Sequence, residues 1–189
     1  MDRNAPDFLL DTAESSARDT EALIKRWHKK GRQHYAITPR FAPTSTEAQL
    51  RLAGELASQY QDTYIQTHVA ENTDEVKWVK ELFPDSRSYL DVYEKRGLMR
   101  KRALYAHCIW LDDNDRARMA ATGSVATVCP TSNLFLGSGL FDFINADKLR
   151  MPVSLATDVG GGTSFSMLQT MNELYKVGRM SGVHLAAQR

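Results

Sequence analysis

Cysteine is scarce: only Cys108 and Cys129 occur in 189 residues. Both lie inside apolar strand-like runs, and their spacing matches neither a zinc ribbon nor a C-x-x-C redox pair, so buried reduced thiols in a cytoplasmic protein are expected. Long hydrophobic runs are absent too. No stretch approaches the ~18 apolar residues a membrane span needs, and the start Met1-Asp2-Arg3-Asn4 lacks the basic-then-apolar pattern of a secretory leader. Net charge is almost nil, since 24 Lys and Arg against 23 Asp and Glu leave +1. That excludes the broad basic field needed to hold nucleic acid or an anionic membrane surface. The one dense basic run, Arg100-Lys101-Arg102, reads as a solvated turn ahead of a strand. No G-x-G-x-x-G and no Walker spacing with Lys is present, so the glycines Gly160, Gly161 and Gly162 are a weak case for a phosphate loop.

What remains is an ordinary globular balance, 42% hydrophobic and 25% charged, consistent with one domain over 1–189. Helix and strand signals alternate along it. Helical periodicity covers 15–30, with Ala22, Leu23, Ile24 and Trp27 on the apolar side, then 46–60 and 74–83, with a short helix from Tyr89 to before Gly97. Further helices are expected from Asp112 or Asp113 to Thr122, weakly over 141–148, and over 164–179, where Phe165, Leu168, Met171, Leu174 and Tyr175 form the face to be buried. Strands are expected at 35–37, 64–68, 103–108, 124–129 and 153–157, with Pro39 closing the first and Pro130 the fourth. This alternation predicts strand-helix-strand units and an α/β fold with a parallel sheet covered on both faces.

An open doubly wound sheet gathers its ligand groups near one switch point, whereas a barrel collects them from the carboxyl ends of many strands. Here every strand end carries a chemistry-bearing residue: Arg40, His68 with Glu71, His107, Asn133 and Asp158. A barrel fits better, yet eight strand-helix pairs take about 250 residues, and five strands are visible.

Each candidate has an ordinary reading beside its functional one. A lone strand histidine such as His68 or His107 is commonly a core imidazole hydrogen-bonded to backbone. Glu71, three residues after His68, shifts the balance, because a carboxylate on the following turn can carry a proton to or from a metal-activated water. Asp158 follows the apolar run 153–157, where an unpaired carboxylate would be costly without a cation or hydrogen bonds; helix capping is its rival role. Arg40 and Phe41 could be a solvated cation and a packed ring. Beyond a strand end they also suit a planar substrate, the guanidinium donating to ring atoms and the phenyl packing on its face. Met167 and Met171 read as core. His28, His34 and His184, at or beside helix ends, are expected to be exposed.

The segments Tyr35-Ala36-Ile37-Thr38-Pro39-Arg40-Phe41, Thr67-His68-Val69-Ala70-Glu71-Asn72, Ala106-His107-Cys108, Cys129-Pro130-Thr131-Ser132-Asn133-Leu134 and Thr157-Asp158-Val159-Gly160-Gly161-Gly162 together resemble the guanine deaminase family of the amidohydrolase superfamily. The resemblance runs in order along essentially the whole chain. It implies a partial (β/α)8 TIM-type barrel of the metal-dependent hydrolase kind, holding about five parallel strands, the family's strands four to eight. The implied activity is zinc-dependent hydrolytic deamination of guanine to xanthine and ammonia, with iron as the alternative ion. His68 and Asp158 would be metal ligands, and Asp158 would also accept the water proton. Glu71 would pass that proton to the ring nitrogen. His107 would orient the water or touch the metal, and Arg40 and Phe41, with His68, Glu71 and Asp158, would hold the purine. The zinc deaminases built on H-x-E with P-C-x-x-C are a different class, and this chain has neither element.

The family also takes two ligands from an H-x-H motif, and no H-x-H occurs in these residues. The resemblance therefore implies a piece starting at an internal methionine after the family's third strand and ending soon after the eighth. Such a piece is expected to bind metal weakly or not at all and to be impaired in activity. Its open sheet edges predict a homo-oligomer or strand-exchanged assembly. Two other readings stand beside this one: an amidohydrolase acting on a ring-bound amino or chloro group of a triazine or pyrimidine, and a non-catalytic barrel fragment.

Overall fold

Seven helices begin where a side chain substitutes for a missing carbonyl. Thr12, Thr46, Asn72, Ser88, Asp112, Asp142 and Ser166 each accept a hydrogen bond from a backbone N–H of the turn that follows, satisfying donors that no intrahelical partner reaches. In a computed structural model, which describes residues 1–182, the helices are α1 (Ala13–Trp27), α2 (Glu47–Gln59), α3 (Thr73–Leu82), α4 (Tyr89–Glu94), α5 (Asp113–Thr122), α6 (Pro130–Phe135), α7 (Phe143–Lys148) and α8 (Met167–Met180). The strands are β1 (Ala36–Ile37), β2 (Tyr64–Val69), β3 (Ala103–His107), β4 (Val125–Val128) and β5 (Val153–Leu155). None of these helices is long and apolar enough to cross a membrane.

All five strands are parallel and lie in the order β1-β2-β3-β4-β5. The order never reverses, so there is no switch point. Right-handed crossovers in one direction put every connecting helix on the same side of the sheet, as in an arc of a barrel. This corrects the expectation of a sheet covered on both faces. Ile65, Thr67, Val69, Ala103, Tyr105, Ala126 and Val128 are buried on the helix side. Their alternates, Gln66, His68, Leu104, Ala106, Val125 and Thr127, are only partly buried or exposed. The core lies between the covered face and α2 to α5, joining Leu50, Ala57, Ile65, Val79, Leu90, Tyr93, Tyr105 and Met119.

Other expectations need correction. Helix α6 departs from the expectation that Pro130 simply ends a strand, because proline also suits the first helical position, where its missing N–H has no partner to lose. Phe165, just before α8, and Met167, Leu168, Met171 and Tyr175 on it are exposed, so the two methionines are not core, and only Leu174 packs on the core from the expected face. On α1, Ile24 is buried while Leu23 and Trp27 are exposed. His28 is not exposed: its side chain is 8% accessible. Its Nδ1 accepts from the Tyr35 N–H at 3.1 Å and its Nε2 stands 3.2 Å from Asp62. The Lys29 ammonium and then His28 lower the Asp62 carboxyl to a pKa of about 2. His34 is exposed, as expected. His184 falls outside the described residues.

Candidate active site

Parallel register brings the rim together. Val69 pairs with His107 across β2 and β3, so the two imidazoles emerge at nearly the same height, and their rings stack with centroids 5.5 Å apart. Regular strand alternation would turn His107 toward the helices with Ala103 and Tyr105. The strand breaks first: φ is +70° at His107 and +55° at Cys108. Ala70 (+50°) and Asp158 (+47°) adopt the same left-handed geometry. Among the described residues, four of the eight non-glycine residues with positive φ thus lie at this rim, each costing on the order of 1 kcal/mol. The turn after Asp158 needs glycine for a different reason. A Cβ on Gly161 would lie 3.0 Å from the Asp158 carboxylate, and one on Gly162 would collide with the Thr157 carbonyl.

His68, His107 and Asp158 are the one group of three metal-ligating side chains gathered among the described residues, their ligand atoms all within 4.8 Å of one another. The hydrogen bonds behind the rings decide which nitrogens face the gathering point. His68 Nδ1 lies 2.7 Å from the Arg40 carbonyl, which can only accept, so Nδ1 carries the proton and Nε2 keeps its lone pair. His107 Nδ1 is 2.9 Å from Asn133 Oδ1, the same arrangement, and its Nε2 stands 3.6 Å from Glu71 and 4.0 Å from Asp158. Burial is the main force holding the His68 imidazole below its ordinary pKa, opposed by the Arg40 carbonyl. A neutral imidazole with one nitrogen held by an outer acceptor is the form that ligates metal.

The donor set therefore fits a divalent ion of the zinc type. Two bonds of about 2.2 Å span at most ~4.4 Å, so the widest pair would close by a few tenths of an ångström. Cys129 lines the adjoining cavity, where burial, reinforced by the Asp158 charge, pushes its thiol up to about 12.

That cavity, about 370 Å³, lies along the open face of the sheet and runs from Gln66, Leu104 and Thr127 up to His68 and Asp158. Arg40 and Phe41 stand beside it: the Phe41 ring meets His68 edge-on at 6.2 Å and the Arg40 guanidinium lies over Phe41 at 5.7 Å. All six candidate residues are thus neighbours at one rim, with Arg40 exposed and His107 buried. Asn133 stood out in the sequence only by its place after a strand. Ser138, whose hydroxyl donates to Glu71 Oε1 at 2.9 Å, and Tyr93, whose buried hydroxyl donates to the His68 carbonyl at 2.7 Å, carried no signal of their own.

The amidohydrolase family model matches residues 1–187. The chain belongs to the amidohydrolase family. Guanine deaminase of Escherichia coli K12 is 53% identical to this amidohydrolase over 187 residues, which are 99% of the chain and 43% of the relative. The solved E. coli guanine deaminase superposes with a TM-score of 0.97 over 99% of this chain and 44% of that one. A Clostridium acetobutylicum guanine deaminase with guanine in its active site follows at 30% identity and a TM-score of 0.89, covering 95% and 43%. The amidohydrolase chain thus spans less than half the length of these relatives, and its five-strand arc matches the corresponding part of their fold.

Proposed function

We propose that this chain is the segment of a guanine deaminase that carries its later metal ligands and proton-transfer group, and that the whole protein converts guanine to xanthine and ammonia. The supporting observation is the convergence of His68, Glu71, His107 and Asp158 at the carboxyl ends of neighbouring strands, with the Nδ1 of each imidazole tied to an outer oxygen acceptor. His68 and Asp158, with His107 as a third donor, would hold zinc. When bound, zinc supplies the acidity that lowers the pKa of a water from 15.7 toward about 7.

The chain's own residues do the rest. Arg40 donates to the purine's ring carbonyl or ring nitrogen, and Phe41 packs on the ring face. Asp158 takes a proton from the attacking water, and Glu71 delivers a proton to the ring nitrogen as the amino-bearing carbon becomes tetrahedral. Asn133 keeps His107 in the tautomer whose Nε2 faces this point, and the Arg40 carbonyl does the same for His68. We read 1–189 as one partial barrel domain on the same grounds.

The test is guanine-to-xanthine conversion by the whole protein, followed by absorbance. Glu71→Gln is expected to lower kcat by about 100-fold or more, and a chelator should abolish turnover until zinc is restored. Unchanged turnover in Glu71→Gln, or activity on a triazine with none on guanine, would overturn the proposal.

A further inference from the structure

Helix α6 and the loop that follows it hold both Glu71 and His107, although neither belongs to them. In that loop Ser138 is 7% exposed and fixed at three points. Its N–H donates to the Asn133 carbonyl at 2.9 Å, its carbonyl accepts from the Trp110 indole at 3.0 Å, and its hydroxyl donates to Glu71 Oε1 at 2.9 Å. Asn133, through its side chain, accepts from His107 Nδ1. One residue's backbone and side chain therefore set the Ser138 hydroxyl and the His107 ring in the same frame. The indole also packs closely here: a Cβ on Gly139 would lie 3.1 Å from Ile109 and 3.2 Å from the Trp110 ring, and the φ of +127° at this position favours glycine. Glu71 is left with Oε2 toward His107 Nε2 at 3.6 Å. That is too long for a hydrogen bond, so this contact does not hold the carboxylate. Ser138 is the side-chain hydrogen-bond donor it has among the described residues.

We infer that Ser138 is a positioning residue for the proton carrier: it selects the Glu71 rotamer in which one oxygen is tied back and the other faces the reacting atoms. The inference rests on the deaminase reading above. A carboxylate free to rotate would still bind in the same pocket but would seldom present the proton in line, so the loss should fall on turnover and spare substrate binding.

The experiment compares Ser138→Ala, Ser138→Thr and Trp110→Phe with Glu71→Gln in the metal-loaded whole protein, measuring kcat and KM for guanine, metal content and thermal melting. Ser138→Ala is expected to lower kcat by about 10- to 100-fold, the weight of one hydrogen bond to a charged group. KM should stay within about threefold and metal content and melting should hold, while Ser138→Thr restores kcat because the hydroxyl is kept. Equal kcat in Ser138→Ala and the parent, with Glu71→Gln inactive, overturns the inference alone; an active Glu71→Gln overturns the deaminase reading itself. A loss appearing in KM, or in metal content, also overturns the inference. Should Ser138→Ala fold poorly, Trp110→Phe decides. It removes the indole N–H and keeps the ring; a smaller fall in kcat at constant KM supports the inference, and an unchanged kcat overturns it.

Discussion

Helices α2 and α8 make an instructive pair. Both are amphipathic, both begin at a side-chain cap, and both flank a parallel strand, yet α2 buries Leu50, Ala53, Leu56 and Ala57 while α8 buries Thr170, Val177 and Gly178 and exposes Phe165 just before its start, then Leu168, Met171 and Tyr175. Within the described residues α2 packs on α1 and β1, whereas α8 packs on α6. An apolar stripe states that a face needs covering. It does not state that the cover is present in the same stretch of chain.

Three substitutions would break or sharpen that contrast. The largest effect belongs to Leu50→Ala, since Leu50 is fully buried; a loss of about 3 kcal/mol in urea unfolding is expected from transfer and cavity terms together. A cost under ~1 kcal/mol would mean that the α2 side is no better packed than the α8 side.

Glu75 probes the covered side by charge. It lies buried in α3, and desolvation, the leading cause, raises its carboxyl pKa. The unfolded chain ionises it near pH 4.3 while the folded chain still holds the proton, so folding loses stability as pH rises above that point. Glu75→Gln should accordingly stabilise the protein by a few tenths to about 1 kcal/mol at pH 7, with the gain vanishing below about pH 4. A gain that persists in acid would assign it to packing instead.

The smallest effect is on the exposed side. Leu168→Ala should change unfolding free energy by no more than about 0.5 kcal/mol. A loss of 2 kcal/mol or more would show that something covers α8 in the folded protein, and a concentration dependence of that loss would identify the cover as a second copy.

Much of the architecture was readable because its causes are local. Thr46 before a helical stripe, Asn72 ahead of α3, and Gly123 at φ +69° after α5 act within one turn of themselves. The site was partly readable for a similar reason: His68, His107 and Asp158 end apolar runs, and strand ends are where a barrel collects its chemistry. What escaped was the layer behind them. Ser138 lies sixty-seven residues from Glu71 and Tyr93 twenty-five from His68, and a serine between glycines or a tyrosine in a short helix looks the same whether or not it serves a site. The one-sided cover of the sheet escaped as well, because strand-helix alternation is common to both ways of winding it.

The order of types along the chain, through capping, periodicity and proline, was sufficient to determine five strand-helix units and the residues that could do chemistry at their ends, since those forces act over a few residues. Only the tertiary structure decided which nitrogen of each histidine faces the site, that His107 leaves its strand's alternation to reach it, and which apolar faces are covered. Those outcomes depend on register between strands and on hydrogen bonds that close over dozens of residues, and no local pattern encodes where the far partner will be.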